Sequence, residues 1–247
     1  MVGVEFAKVN YALADGRFLL RDVSLRLEAG TTTALLGRSG AGKTTLLRMV
    51  NGLVAPTSGE VLVEGKATGA YDEVTLRRGI GYVIQETGLF PHMTVERNAG
   101  MALELAGRPK PEIAARAAEV LGLVGMDFEE FRARYPWQLS GGQRQRVGLA
   151  RALAMDPAVL LMDEPFGALD PLTRAEMQTM VRGLLERVKK TVLLVTHDLN
   201  EALYLAQRVV FLEGGRVVAE LPAREVLGSA IPQVRDYVQA IHRPVSA

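Results

Sequence analysis

The chain has no cysteine and almost no net charge in its 247 residues. Without cysteine it can form no disulfide or thiolate metal site and has no cysteine nucleophile, and this composition fits a reducing compartment. Lys and Arg total 29 and Asp and Glu total 28, which leaves a formal net charge of +1. Because no global field attracts polyanions, we expect no nucleic-acid partner.

Long apolar runs are also missing. None approaches the roughly 20 residues that a membrane-spanning helix needs. The first residues, MVGVEFAKVN, lack the apolar core of a signal peptide. We therefore expect a cytoplasmic protein that reaches a membrane only through a partner. The length allows one large α/β domain, or a core that carries a smaller subdomain.

Two kinds of strand are indicated by hydrophobic patterning. Apolar and polar residues alternate in 2–6 and 23–27, which predicts half-buried antiparallel strands near the N-terminus. Continuous apolar runs over 33–36, 158–162 and 191–195 predict strands that are buried on both faces of a parallel sheet. The predicted core is therefore α/β with a parallel sheet.

Helical texture separates these strands. Apolar residues recur at helical spacing from about 109 to 153, which indicates a helical insertion. Residues 59–65 read as a further strand, and 209–219 as a hairpin that turns at a glycine pair. A helical tail is expected over 222–247, where it either regulates the protein or packs against it.

A glycine-rich loop follows the first buried strand: residues 37–44 read GRSGAGKT. Glycines let backbone N–H groups close around phosphate oxygens, and the following helix turns its positive end toward them. Lys43 adds charge at the β and γ phosphates, and the Thr44 hydroxyl is placed to ligate Mg²⁺. A merely flexible loop is the alternative, but the preceding strand favours a nucleoside triphosphate site. That predicted site comprises Gly37, Arg38, Ser39, Gly40, Ala41, Gly42, Lys43, Thr44 and Thr45.

An acidic pair, Asp163 and Glu164, stands at the carboxyl end of the strand at 158–162. Parallel sheets present ligand-binding side chains at that end. Asp163 would support Mg²⁺ through bound water. Glu164 is the better candidate for polarising the attacking water, since cleavage of a γ-phosphate mainly needs a nucleophile held in line. A solvated strand end is the alternative, and the presence of the phosphate loop argues against it.

Two further residues follow predicted strands. His197 comes after the strand at 191–195, where a γ-phosphate would lie, although Thr196 and Asp198 also suit a helix start. Gln85 has an amide oxygen that suits the metal or the water, although it is equally well a plain turn residue.

Residues 139–143, LSGGQ, open another helix and present a second helix N-terminus to an anion, although a serine that only caps the helix is the alternative. One triphosphate is not easily held by two such helix ends in different subdomains of one chain. Two chains paired head to tail resolve this, because the serine-glycine end of one closes over the nucleotide of the other. The residues that would act in this way are Ser140, Gly141, Gly142 and Gln143.

Taken in order, these motifs resemble those of the nucleotide-binding subunits of ATP-binding cassette (ABC) transporters, over nearly the whole chain. The resemblance implies ATP and Mg²⁺ as cofactors, with Glu164 as general base, His197 at the γ-phosphate, and Thr44, Gln85 and Asp163 at the metal. It further implies that Tyr11 stacks on adenine, and residues 167–170, GALD, match the family's D-loop.

The family's architecture is a P-loop NTPase core with an N-terminal antiparallel β subdomain and an inserted helical subdomain. Carried onto this chain, it gives a single ABC ATPase domain over 1–247, a helical subdomain over about 87–155 within a RecA-like core, and the tail at 222–247. The implied partners are a second ATPase subunit, integral membrane permease subunits and, indirectly, a substrate-binding protein. The expected location is the inner face of the cell membrane, as a peripheral subunit.

A closer likeness lies in 84–95, IQETGLFPHMTV, and 165–174, PFGALDPLTR. Both are similar to the ATPases of bacterial importers for quaternary amines such as glycine betaine, choline and carnitine, although Glu86 and Thr87 replace the more usual Gln-Ile. Some of those ATPases carry C-terminal CBS domains. This chain ends before such domains, so we expect no ionic-strength sensing of that type.

The apolar residues Leu89, Phe90, Pro91 and Met93 form either a groove for a permease helix or part of the helical core. A cassette of an export or lipid-trafficking system would share the catalytic motifs and differ in 86–95. A cassette of DNA repair or translation would carry paired cassettes or a long coiled-coil insertion, and neither is present in the sequence.

Overall fold

A computed structural model describes residues 2–85 and 87–241. Their contacts form two compact units. The first unit contains the residues up to Asp72 and those from Thr191 onward, and the second contains Glu73–Lys190. The bounds that we predicted for the helical subdomain, 87 and 155, stay a prediction.

The first unit begins with strands on either side of the glycine-rich loop. Its N-terminal elements are β1 (Val2–Ala12), β2 (Phe18–Glu28), β3 (Thr32–Gly37), α1 (Lys43–Val50), β4 (Ser58–Val63) and β5 (Lys66–Ala67), followed by a 3₁₀ turn at Thr68–Ala70.

The second unit is mostly helical. Its elements are α2 (Glu73–Arg78), β6 (Ile80–Val83), α3 (Val95–Leu105), α4 (Lys110–Leu123), α5 (Phe128–Phe131), a 3₁₀ turn at Pro136–Gln138, α6 (Gly141–Leu153), β7 (Val159–Asp163) and α7 (Pro171–Val188).

The chain then returns to the first unit. The returning elements are β8 (Thr191–Thr196), α8 (Leu199–Leu205), β9 (Arg208–Glu213), β10 (Arg216–Pro222), α9 (Ala223–Val226) and α10 (Pro232–Ile241).

An antiparallel sheet in the first unit has the strand order β2-β1-β4-β5. Phe6 of β1 lies opposite Leu25 of β2 on one side and Val61 of β4 on the other, and all three side chains are buried. The two N-terminal strands are longer than the alternation predicted, because their pairing continues through register shifts, and such shifts interrupt a regular alternation of residues.

The other sheet of the first unit has the strand order β10-β9-β3-β8, in which β3 is parallel to both of its neighbours. On β3, Leu36 is paired with Thr196 of β8 and Phe211 of β9. Every residue of β3 and of β8 is buried, as the continuous apolar runs predicted. β9 and β10 are antiparallel and turn at Gly214 and Gly215, which both have positive φ.

In the second unit β6 and β7 pair in parallel, and every residue of β7 is buried. Helices α3, α4 and α6 pack on one another through apolar faces that include Leu103, Leu121 and Val147. The α/β fold class is therefore confirmed. None of the helices within 2–85 and 87–241 is both long enough and apolar enough to cross a bilayer.

The C-terminal helices α9 and α10 pack against the first unit. Val226 and Val234 are fully buried in a cluster that also contains Leu36 and Phe211. The described part of the tail thus contributes to the core, and residues 242–247 lie outside the described part of the chain.

We expect glycine substitutions in the first unit to separate backbone conformation from packing. Gly59 and Gly65 both have φ of +81°, but a Cβ on Gly59 would press on the backbone oxygens of Lys8 and Ala7, whereas Gly65 has open space. Gly65→Ala should lower the free energy of unfolding by about 1 kcal/mol. Gly59→Ala should lower it by a further ~1–3 kcal/mol. Urea unfolding followed by circular dichroism measures both values, and equal losses would contradict the proposed packing constraint.

Candidate functional site

The glycine-rich loop lies between β3 and α1, with Lys43 as the first residue of the helix. Lys43 is buried, and its Nζ donates to the carbonyl oxygens of Gly37 at 2.8 Å and Arg38 at 3.0 Å. Gly40 and Gly42 have φ of +77° and +98°, which favour glycine. The ammonium group is therefore held beside a loop whose backbone N–H groups can surround a phosphate.

Tyr11 is connected to this loop through its strand partner Leu20, whose side chain lies beside Gly42. On β1 it lies opposite Leu20 of β2. A Cβ on Gly42 would fall 2.6 Å from the Leu20 side chain, so Leu20 fills the space beside the loop. Half-buried Tyr11 thus stands near the phosphate loop, where a base stacked on it would belong to the same nucleotide.

His197 follows β8, the parallel neighbour of β3. Since Leu36 pairs with Thr196, the phosphate loop and His197 begin at the same edge of the sheet. Asp198 is the N-cap of α8 and accepts hydrogen bonds from the backbone N–H groups of Asn200 and Glu201. The capping task belongs to Asp198, and the exposed His197 ring lies one residue before the cap.

In the second unit, Gln85 and Asp163 also come from adjoining parallel strands. Val83 pairs with Met162, so the residues that follow β6 and β7 lie at one edge. Asp163 is buried at 6% exposure, and the Tyr82 hydroxyl lies 3.4 Å from its Oδ2. A carboxylate and an amide oxygen are hard ligands that fit Mg²⁺, as does the Thr44 hydroxyl of the first unit. An ion held by Asp163 and Gln85 would need further oxygen ligands, such as those of phosphate and water.

Glu164 has a left-handed backbone, with φ of +44°. Such a conformation is costly for residues other than glycine and tends to persist at functional sites. The turn is closed by a hydrogen bond from Gly167 N–H to the Glu164 carbonyl at 3.2 Å. It is also held by buried Gln145 of α6, whose Nε2 donates to the Pro165 carbonyl.

The serine-glycine motif forms the start of α6, as the sequence predicts. Ser140 is the N-cap, its Oγ accepts from Gln143 N–H at 3.2 Å, and the Gln143 side chain accepts from Ser140 N–H at 2.8 Å. Ser140, Gly142 and Gln143 also line a pocket with Arg146 and Thr173. The helix start is thus locked in a capped geometry, with the exposed serine at its tip.

Asp170 is the N-cap of α7 and belongs to the segment at 167–170. The Thr173 hydroxyl and backbone N–H donate to its carboxylate, which lowers the pKa of Asp170. This cap fixes the position where the segment ends and α7 begins.

Asn98 is a structural support that the sequence reasoning missed. It is fully buried on α3, its Oδ1 accepts from Phe90 N–H at 2.8 Å, and its Nδ2 lies 3.0–3.1 Å from the carbonyl oxygens of Phe90, Met93 and Thr94. An asparagine four residues after Thr94, on the apolar face of a helix, was the signal that could have identified it. It fixes the backbone of the segment that follows Gln85.

The apolar residues of that segment are not core. Phe90 is 37% exposed, Pro91 is exposed, and Leu89 and Met93 are half-buried. Of the two alternatives for these residues, a groove for a permease helix or part of the helical core, their exposure favours the groove. Glu86 lies outside the described residues.

The two units hold separate parts of the predicted site. The first unit brings together Tyr11, the loop at 37–45 and His197, and the second holds Gln85, Asp163, Glu164 and the motif at 140–143. Each part occupies strand ends or a helix start, which is where a phosphate ligand and its metal would be met.

Comparison with known proteins identifies the family. The family model described as ABC transporter matches residues 20–167. The osmoprotectant import ATP-binding protein OsmV of Salmonella typhimurium is 48% identical over 87% of this chain and 58% of its own length. The choline transport ATP-binding protein OpuBA of Bacillus subtilis is 45% identical over 85% and 55%. The chain thus spans little more than half the length of these relatives.

A relative with another cargo is about equally similar. The sulfate/thiosulfate import ATP-binding protein CysA of Nocardia farcinica is 46% identical over 95% of this chain and 71% of its own length.

Solved structures agree with the sequence match. A dimeric post-hydrolysis structure of the ATP-binding cassette MJ0796 with ADP and Pi superposes with a TM-score of 0.79, at 35% identity over 90% of this chain and 99% of that one. CbiO1 of Clostridium perfringens, part of the cbiONQ ABC transporter complex, gives 0.85 at 28% identity over 97% of both chains. The chain belongs to the ABC transporter family, as its ATP-binding cassette.

Proposed function

We propose that this chain hydrolyses ATP as a head-to-tail dimer and so drives uptake of a quaternary-amine osmoprotectant through a separate membrane permease. One observation carries the proposal: the chain offers two helix starts suited to phosphate, the loop before α1 and the Ser140 cap of α6, in different units. In a dimer each nucleotide is held by the loop of one copy and the Ser140 helix start of the other.

Nucleotide binding begins at the loop. Tyr11 stacks on adenine, backbone N–H groups of 37–45 surround the phosphates, and Lys43 places its charge at the β and γ phosphates. Ser140, Gly141, Gly142 and Gln143 of the partner copy then close the site, so binding free energy is used to join the two chains.

Hydrolysis transfers the γ-phosphoryl group to water. The water oxygen forms the new bond to phosphorus while the bond to the β–γ bridging oxygen breaks, and Glu164 accepts the proton of the water. Gln85 orients that water, and His197 donates to the γ-phosphate oxygens. The residues that would hold Mg²⁺ are Thr44, Gln85 and Asp163, and the ion would supply positive charge to the phosphates.

Coupling to transport uses the surface after Gln85. Exposed Phe90 and Pro91 offer apolar contact to a permease helix, and Asn98 keeps their backbone in place. The chain would then be a peripheral subunit on the cytoplasmic face of the membrane, with a substrate-binding protein delivering solute on the other face.

The proposed cargo rests on the names of relatives. Proteins named for osmoprotectant, choline, carnitine and glycine betaine transport are 41–48% identical to this chain. A sulfate or thiosulfate importer is the second candidate, because a relative with that name is 46% identical over most of the chain. The permease and binding protein decide between them, since solute specificity resides there.

Lys43→Ala should weaken ATP binding to the isolated chain by about 10- to 100-fold, because a charge-assisted contact worth ~1.5–3 kcal/mol is lost. Fluorescence titration with a labelled ATP analogue measures this change. Arg48→Ala is the matched control, since Arg48 is an exposed cation on the same helix, and its affinity should stay that of the parent. Equal ATP affinities of the two variants would contradict a contact between Lys43 and ATP.

Glu164→Gln should bind ATP without turnover and accumulate as an ATP-bound dimer, because an amide keeps the shape of the carboxylate but accepts no proton. Adding Ser140→Arg should abolish that dimer and spare ATP binding by single chains. Size-exclusion chromatography with light scattering, with and without ATP, distinguishes these states. A double variant that still dimerises with ATP would contradict the role of Ser140 in the partner's site.

Phe90→Glu should stop solute-stimulated ATP consumption by the chain reconstituted with its permease and binding protein, and should leave ATPase activity of the isolated chain within about twofold of the parent. Leu105→Glu, at another exposed apolar residue of the same unit, is the control and should preserve both activities. Loss of ATPase activity in the isolated Phe90→Glu chain would show instead that Phe90 is needed for the fold.

Addition of each quaternary amine and of sulfate to the reconstituted system identifies the solute.

A further inference from the structure

Arg151 connects helix α6 to the backbone that follows Gln85. From near the end of the helix, its Nη1 donates to the Gly88 carbonyl and its Nη2 to the Thr87 carbonyl, both at 2.7 Å. Burial lowers the pKa of Arg151, and a guanidinium remains charged nonetheless. The two carbonyl oxygens therefore offset the cost of placing a charge there, and this contact is specific in geometry.

The backbone that Arg151 holds is tightly bent. Thr87 and Gly88 have φ of +48° and +54°, and a left-handed conformation is rare for a β-branched residue such as threonine. A Cβ on Gly88 would press on the side chain of Ile84, the residue before Gln85. Any displacement of this bend therefore acts on the residues beside Gln85.

The same helix approaches the bend with a small residue. A Cβ on Gly148 would lie 3.5 Å from the Thr87 carbonyl oxygen, so α6 passes close to the Thr87 backbone. At the far end of the segment, Asn98 fixes the backbone from Phe90 to Thr94. Because the backbone from Phe90 onward is fixed, a movement of Thr87 displaces the backbone on the Gln85 side of Thr87.

α6 is a continuous helix of 13 residues that carries Ser140 at its N-cap and Arg151 near its C-terminus. At 1.5 Å per residue it spans roughly 20 Å. A hydrogen-bonded helix of this length moves as one body, so a shift at the Ser140 end reaches Arg151.

We propose that Arg151 is a positioning residue that couples the Ser140 end of α6 to Gln85, so that contact of one chain with its partner's nucleotide sets Gln85 for its own. This inference rests on the proposed function, in which Ser140 and Gln85 act on the two nucleotides of a dimer. Arg151 itself touches no nucleotide in this scheme. Through Arg151, the position of Gln85 at a chain's own nucleotide depends on whether Ser140 of the same chain contacts the partner's nucleotide.

The test compares Arg151→Met and Arg151→Lys with Arg116→Met. Arg116 is a matched control because its guanidinium also donates to two consecutive carbonyls, those of Leu153 and Ala154 at 3.0 Å, at the end of the same helix. It makes none of the contacts to Thr87 and Gly88 described above. Steady-state ATP hydrolysis is measured for each chain, and ATP-dependent dimer formation is measured in the Glu164→Gln background.

Arg151→Met is expected to lower kcat by about 10- to 100-fold, since a small misplacement of a catalytic group has effects of that size. The KM for ATP should change by less than about threefold, and the dimer should still form, because Tyr11, the phosphate loop and the Ser140 helix start that bind and cover ATP are unchanged. Arg151→Lys should recover part of kcat, and Arg116→Met should stay within about threefold of the parent.

A second readout follows the segment itself. The chain has no cysteine, so His92→Cys gives one site for a fluorophore on the exposed side of the segment. In the Glu164→Gln background, ATP should change its emission in the parent and in Arg116→Met, and the change should be lost in Arg151→Met. A purely structural role of Arg151 would not remove this response selectively.

Equal losses of kcat in Arg151→Met and Arg116→Met, or a parent-like fluorophore response in Arg151→Met, would overturn the coupling. If Arg151→Met does not fold, Arg151→Lys decides, because a folded lysine variant with parental kcat and response also overturns it. A parent chain that neither hydrolyses ATP nor dimerises with it would refute the proposed function, and the coupling with it. If the parent chain hydrolyses ATP and dimerises with it, a failed prediction for the Arg151 variants refutes only the coupling.

Discussion

Burial of strands on both faces is the constraint from which the rest follows. Every residue of β3, β7 and β8 is buried, so the middle of each strand is apolar and the charged and catalytic candidates lie at or after the carboxyl end of a strand. The residues that follow β3 and β8 share one edge by register, and the same holds for β6 and β7. Strand register alone therefore determines the position of four groups in the backbone: the phosphate loop, His197, Gln85 and the acidic pair.

The sequence predicted what depends on local pattern and on that rule. The glycine-rich segment between β3 and α1, the helix start at Ser140 and the glycine hairpin lie where the sequence predicted them, because glycine, serine and apolar runs have narrow structural meanings. The contacts of Asn98, Gln145 and Arg151 could not be predicted. Each joins a side chain to a backbone carbonyl that is distant in sequence or lies in irregular backbone, and no periodicity encodes such a pairing.

Two of these unpredicted contacts, those of Gln145 and Arg151, come from helix α6. Ser140 lies at its start, Gln145 holds the turn after Glu164, and Arg151 holds the backbone after Gln85. Helix α6 therefore contacts the backbone beside two proposed catalytic residues, Glu164 and Gln85, and its N-terminus is the part that we propose to contact a partner. In a head-to-tail dimer this arrangement makes hydrolysis at one nucleotide sensitive to the chain that covers it.

Cross-linking between two chains tests the shared site most directly. One chain carries Ser39→Cys in the phosphate loop, the other carries Ser140→Cys, and both carry Glu164→Gln in a background free of other cysteines. With a short bis-maleimide the mixture should give a heterodimer that forms with ATP and is absent without it. A chain with both cysteines that cross-links internally as a monomer, or a heterodimer yield indifferent to ATP, would contradict a nucleotide held between two copies.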